Sequence, residues 1–386
     1  MPVANQKMKS KKYRISAECL TSVCVKSGHE IMPWEYVILE EKGEKVFYRF
    51  NLYDFYKKLS GANQDSLGEK INAKNVFGAR ALIHQIGERD PVLIKEIKTY
   101  SAKADQGFYY LYKANINKES QDPETNRLAV YEHVQSGGSQ FIPGSSIKGA
   151  LRTVLLRNEI KKGREWLAKG LEDSHADPAK DDFKDFCVLD AKISGENYLR
   201  VGEFFRAAPV ALEYFPRGAR WEFDIIARER QGLKPGIDFS RENIIRAANA
   251  FAKYKVDKFK TELKKLNNFL GNSKGDEDKK IQINNLEDIL NQVQQVINNS
   301  SNEFVLNLGS GGSFWYKSFC ENHPKKDKGG NKKKNKKEDK DRIKNESLIE
   351  RTANLNINIP LTWWHNSGTG FMGFVKCRFL GQSTGQ

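Results

Sequence analysis

The order of segments along the chain predicts an α+β fold, a sheet layered with helices, and two observations carry that expectation. Stretches with the two-residue alternation of a strand and stretches with helical spacing are interleaved along the 386 residues. Glycine-rich loops sit where the strands end.

Residues 1–60 supply the first part of the sheet. Tyr13, Ile15, Ala17 and Cys19 alternate with more polar neighbours, and a turn is expected at KSGHE, Lys26 to Glu30. YVILE and KVFYRF flank Lys42-Gly43 as a hairpin. Leu52, Phe55, Tyr56 and Leu59 then recur at helical spacing. Residues 61–135 show no clear period and stand as an insertion without assigned structure. Residues 136–240 carry a glycine-flanked helix, FCVLDAKI, and WEFDIIAR, which alternates as a strand. From 241 to 300 the pattern is helical: Ile244, Ala248, Phe251 and Ala252 share one face, and Leu286, Ile289, Leu290, Val293 and Ile297 another. Residues 301–386 bring two glycine-rich loops, LGSGGSF and GTGFMGF, and a closing strand at Phe374 to Phe379.

The chain carries 64 Lys and Arg against 49 Asp and Glu, a net charge of +15 with pI near 9.3, as suits a polyanionic partner. Of that charge, +7 lies in KKDKGGNKKKNKKEDKDRIK, Lys325 to Lys344, within a basic loop (321–350) too polar to bury a core and expected to be disordered. The remaining +8 is spread over the rest. Five scattered cysteines without a CxxC pair argue against a disulfide framework or zinc site. The N-terminus lacks the apolar stretch of a signal peptide, and no segment approaches the ~20 apolar residues of a membrane span. A soluble, cytoplasmic protein is expected.

One stretch is a candidate anion cradle. In FIPGSSIKGALRTVLL, Ile147, Ala150, Leu151, Val154 and Leu155 form the apolar stripe of a core-facing helix. Pro143-Gly144 breaks the strand before it, and Ser145 or Ser146 is a natural N-cap. Backbone N–H groups and the positive end of a helix dipole then face the loop. Lys148 and Arg152, four apart, stack on the wet side, and Gly149 leaves no side chain to block an approaching backbone. A Walker-type nucleotide loop is excluded, because Ala150-Leu151 rather than Lys-Ser/Thr follows Gly149. Gly309, Gly311 and Gly312 beside Phe314, Trp315, Tyr316 and Lys317 combine close approach, stacking and charge in the manner of RNA sites. Gly368, Gly370 and Gly373 in WWHNSGTGFMGF repeat the theme.

FIPGSSIKGALRTVLL, LNLGSGGSFWYKSF and SGHEIMPWEYVI together resemble the RAMP superfamily of CRISPR proteins. Within it the chain is most similar to the Csm-type subunit of type III-A effector complexes that caps the 3′ side of the crRNA. The resemblance implies a ferredoxin-like (RRM-related) RAMP fold with helical insertions and a disordered basic loop. It implies crRNA and target RNA as partners, with other Csm subunits and especially the backbone RAMP subunit. It further implies a part in crRNA maturation and antiviral defence, with no cofactor and no metal. Carried onto this chain, the RNA contacts are Lys26 and Gly28, Gly144, Ser145, Ser146, Lys148, Gly149 and Arg152, Gly309, Gly311, Gly312 and Lys317, and Gly368 and Gly370. The family's first loop often reads HIGSG, where this chain has CVKSGHE, which weakens a role for His29.

The alternative is a CRISPR-associated endoribonuclease acting on crRNA precursor with histidine as acid or base. Six histidines are scattered without pairing at helical or metal-ligand spacing, and Asp190 matches a family position that the resemblance implies is structural. No paired carboxylate motif suggests two-metal chemistry. The sequence therefore favours a non-enzymatic scaffold. Membrane binding is disfavoured, because the 286–297 helix carries acidic and amide residues on its polar face.

Overall fold

The computed structural model describes residues 9–118, 128–162, 182–193, 199–205, 209–229, 236–270, 277–299, 301–309, 364–365 and 373–385. Along the chain run β1 (Lys9–Cys19), β2 (Lys26–Ile31), β3 (Tyr36–Glu41), β4 (Glu44–Phe50), α1 (Leu52–Lys58), α2 (Gly61–Asn72), α3 (Val76–Arg89), α4 (Pro91–Ile97), β5 (Lys98–Ala104) and α5 (Gln106–Asn115). Then come β6 (Val130–His133), β7 (Gln135–Ser136), β8 (Ser139–Ile142), α6 (Gly144–Lys161), β9 (Phe186–Val188), β10 (Ala191–Lys192), β11 (Arg200–Phe205), β12 (Pro209–Tyr214) and β13 (Arg220–Glu229). The last are α7 (Arg241–Leu270), α8 (Glu277–Asn298), β14 (Glu303–Asn307), β15 (Trp364–His365) and β16 (Phe374–Gly385).

The alternation of β1 does what the sequence asks of it: Tyr13, Ile15, Ala17 and Cys19 are all buried. β1 is the middle strand of an antiparallel sheet ordered β14-β16-β1-β13-β9, with Ile15 opposite both Phe223 and Phe379. The apolar stripe of α6 and the first half of α7 pack on this sheet through Ile147, Leu151, Leu155, Ile244, Ala248 and Phe251. The second half of α7 pairs with α8, burying Val256, Phe259 and Leu263 against Leu286, Leu290 and Val293. Burial of such side chains stabilises by about 1.5–3 kcal/mol each, so these two faces anchor both helices.

A second, mixed sheet runs β2-β6-β12-β11-β5-β4-β3, with β15 beside β11, and it curls on itself. Its curl is visible in one contact: Arg49 of β4 ion-pairs with Glu132 of β6, although β5, β11 and β12 lie between those strands. A small sheet, β10-β8-β7, leads into α6.

Two expectations change. KSGHE is not a simple turn but part of strand β2, interrupted at Gly28 (φ +96), where the pairing with β6 shifts register. Residues 61–135 hold α2 to α5, β5 and β6, packed in part on the β3–β4 hairpin through Val37, Phe50, Ile83 and Ile94. Their period is hard to see because α2 buries only Leu67, and α3 turns Arg80 and His84 inward beside Ile83 and Ile86. Arg80 is tied to the end of α5, donating to the Ile116 and Asn115 carbonyls at 3.0 and 2.8 Å. The lysine tract 325–344 lies outside the described residues.

Candidate nucleic-acid interface

α6 starts two to three residues earlier than a cap at Ser145 or Ser146 implies. Pro143 is its N-cap, with no side-chain cap bond, and Ser146 donates to the Pro143 carbonyl at 2.9 Å. The Gly144 amide donates to the Asp190 carboxylate at 2.7 Å. The helix dipole thus meets an anion supplied by the chain itself, and Asp190 takes the capping role expected of Ser145 or Ser146. Gly144 is buried, and a Cβ there would overlap the Val188 carbonyl, so close packing against β9 requires its glycine. Ser145 and Gly149 are exposed, and a Cβ on Gly149 would meet nothing within 4 Å. This is the open face of the helix start.

Lys148 and Arg152 do not stand on a purely wet face. Both are half-buried and clasp the 3₁₀ turn Asp182–Asp185: Lys148 donates to the Phe183 carbonyl at 2.7 Å, and the Arg152 guanidinium sits 5.2 Å from the Phe183 ring. A backbone carbonyl does not neutralise the Lys148 ammonium, so Lys148 still adds to the potential over this face.

The glycine turns gather at the other edge of the same sheet. The Leu308 amide donates to the Gly373 carbonyl at 2.8 Å, and the Gly373 amide to the Ser22 carbonyl at 2.8 Å. Gly309 has φ +79, and a Cβ on it would overlap the Cys24 carbonyl. The roots of the two C-terminal glycine loops therefore pack against the β1–β2 connection, four residues before Gly28. Lys26 covers the Tyr131 ring at 3.4 Å, and Gly28 is exposed in open space. Gly311, Gly312, Lys317, Gly368 and Gly370 lie outside the described residues. The structure thus unites Gly309 and Gly373 with the stem of the Gly28 strand, and places the α6 start apart from them, at the β9 edge.

A polar constellation inside the curled sheet has no motif in the sequence. Glu132 accepts from Ser27 Oγ at 3.0 Å, from Arg49 and from Gln135. Glu213, on the neighbouring strand, accepts from the Tyr100 hydroxyl and from the His133 amide at 2.9 Å. Burial pushes the Glu213 carboxyl up to about 7, against the pull of these donors and of Arg49. Burial also holds His133 down at about 4, and His84, bonded to Tyr112 at 2.6 Å, likewise at about 4. Both histidines are neutral at pH 7. The network reaches the surface through Ser27, whose hydroxyl accepts the His29 amide at 3.0 Å. Neither VYEH nor ALEY alternates in polarity or burial, so no local pattern marks it. Among the described residues, no group of three or more His, Cys, Asp or Glu could hold a metal.

No protein-family model matches this sequence, and no curated protein does. Solved structures do. A chain of a Csm–crRNA–target RNA ternary complex from a type III-A CRISPR–Cas system matches at a TM-score of 0.58 and 14% identity, over 95% of this chain and 100% of that one. Csm5 of T. onnurineus matches at 0.46 and 16%, over 78% of this chain and 90% of that one. The first likeness shows that nearly the whole chain shares that fold. No helix among the described residues is long and apolar enough to cross a membrane.

Proposed function

We propose that this chain is a crRNA-binding structural subunit of a type III-A (Csm) CRISPR effector complex, with a ferredoxin-like RAMP core, that caps the 3′ side of the crRNA. The observation that carries this reading is the fold likeness over 95% of the chain to a component of a crRNA-bound Csm complex. The open Gly28 strand and the exposed face of Ser145 and Gly149 offer surfaces where an RNA backbone can approach closely. Lys148, Arg152 and Lys26 add positive charge beside them. Its partners are crRNA, target RNA and the other Csm subunits, the backbone RAMP subunit among them, in the cytoplasm. It supports crRNA maturation and antiviral defence without cutting RNA itself. His84 and His133 are buried out of reach of a substrate, which supports a scaffold rather than a nuclease. Isolation of the native protein with its bound RNA tests the reading. A small RNA of uniform length supports it, and a preparation free of RNA and of other subunits overturns it.

A further inference from the structure

The positive charge outside the lysine tract is not evenly spread. Residues 253–265 of α7 hold six lysines against Asp257 and Glu262, a net +4, and residues 157–162 of α6 and its C-cap hold Arg157, Lys161 and Lys162 against Glu159, a net +2. Two of these acids are taken up along the chain, Asp257 by Lys253 at 3.6 Å and Glu159 by Lys162 at 2.7 Å. These segments meet around one aromatic ring. The Arg157 guanidinium lies 4.2 Å from the centre of Tyr254, and the Lys255, Lys161 and Lys258 ammonium groups lie at 5.5, 5.6 and 5.9 Å. Arg157 and Lys255 are 3% and 2% exposed and form the floor, while Tyr254 and Lys258 are half-buried and Lys161 is exposed at the rim. Further along α7, Lys264 and Lys265 are exposed and continue the stripe.

Here a half-buried ring is set among cations, which is the composition of a stacking platform with phosphate contacts on its margin. We propose that the Tyr254 face of α6 and α7 is a second binding site for single-stranded RNA, with a base on Tyr254 and phosphates on Lys161 and Lys258. The site belongs to the α6 helix but to its far end: Lys161 lies 12 residues beyond Gly149, about 18 Å at 1.5 Å per residue. A strand of RNA bound at both ends of α6 would run along the helix. This inference rests on the RNA-binding reading above.

The test is a salt-dependent titration of the full chain with a short fluorescein-labelled single-stranded RNA of mixed sequence. Lys161→Ala with Lys258→Ala should lower the slope of log affinity against log salt by roughly 1.4, about 0.7 for each phosphate released. Tyr254→Leu should weaken binding about tenfold and Tyr254→Phe should restore it, as stacking requires a ring. Photo-crosslinking of a 4-thiouridine-substituted form of the same RNA should label α7 peptides containing Tyr254. Wild-type binding with an unchanged slope in the double variant and no α7 crosslink would overturn this site while leaving the general RNA reading intact. Wild-type protein without affinity for the RNA would overturn the general reading itself. Loss of assembly with the other subunits at unchanged RNA affinity would make the face a protein contact and refute the proposal.

Discussion

The Asp190 carboxylate accepts the Gly144 amide at 2.7 Å, so the helix whose start looks made for an external anion already begins on one of its own. The exposed part of the motif is displaced along the helix, to Ser145 and Gly149. That separation of a structural end from an open face sets the first expectations.

Asp190→Ala should destabilise the fold by about 1–2 kcal/mol, since it removes a charged cap from a long core helix. Gly144→Ala should cost about 2–3 kcal/mol, because its Cβ would overlap the Val188 carbonyl. Urea unfolding of the two variants measures both, and RNA affinity per folded molecule should hardly change.

Gly149→Ala should act in the opposite sense. It sits in open space within a helix, where alanine gains about 1 kcal/mol over glycine. If RNA passes close to this face, the same change weakens binding. A rise in melting temperature with a fall in RNA affinity is the expected pair of readings.

Lys148→Ala should lower stability by about 1 kcal/mol, because the Phe183 carbonyl is deprived of a charged donor. Arg152→Ala removes the guanidinium from beside the Phe183 ring and should also lower stability. The double variant should also flatten the salt dependence of single-stranded RNA binding by roughly 0.7 log units for each phosphate it no longer neutralises. Calorimetry and filter binding separate the two effects.

Stability should peak near pH 6.5. His84 and His133 are held at about 4 when folded, so stability falls as pH drops from about 6.5, where the unfolded chain takes up two protons that the folded one refuses. Glu213, at about 7 when folded, contributes stability below about 4.5 that is lost as pH rises through 7. Between about pH 4.5 and 6.5 the two histidines outweigh the one glutamate, and above that only the glutamate changes. Glu213→Gln should therefore steepen the acid limb about twofold and abolish the decline above about pH 6.5. Urea unfolding at several pH values reads both limbs.

Much of the fold is legible in local patterns. The alternation of Tyr13 to Cys19, the Lys42-Gly43 hairpin and the stripes of α7 and α8 all name residues that lie where the period places them. What has no local signal is relational. Asp190 and Gly144 are 46 residues apart, and Arg49 and Glu132 are 83 apart. Their pairing depends on which strands become neighbours and on the curl of the second sheet, neither of which leaves a local period. The helices of 61–97 are obscured because polar residues such as Arg80 and His84 occupy core-facing positions. At the candidate interface, glycine and lysine types are readable, but whether a glycine serves a ligand or a crowded backbone is not. Gly144 and Gly309 answer to neighbouring carbonyls, and Gly28 and Gly149 to open space.

Capping of the crRNA 3′ side without cleavage can be read in a single experiment on the assembled native complex. Ultraviolet crosslinking, with the crosslinked nucleotides mapped along the crRNA, reports which end of the guide this chain holds. Crosslinks from this chain should be confined to the 3′ segment, on RNA that stays full length with or without Mg²⁺. Crosslinks at the 5′ end, or cleavage by the pure protein that His29→Ala abolishes, would contradict the capping role.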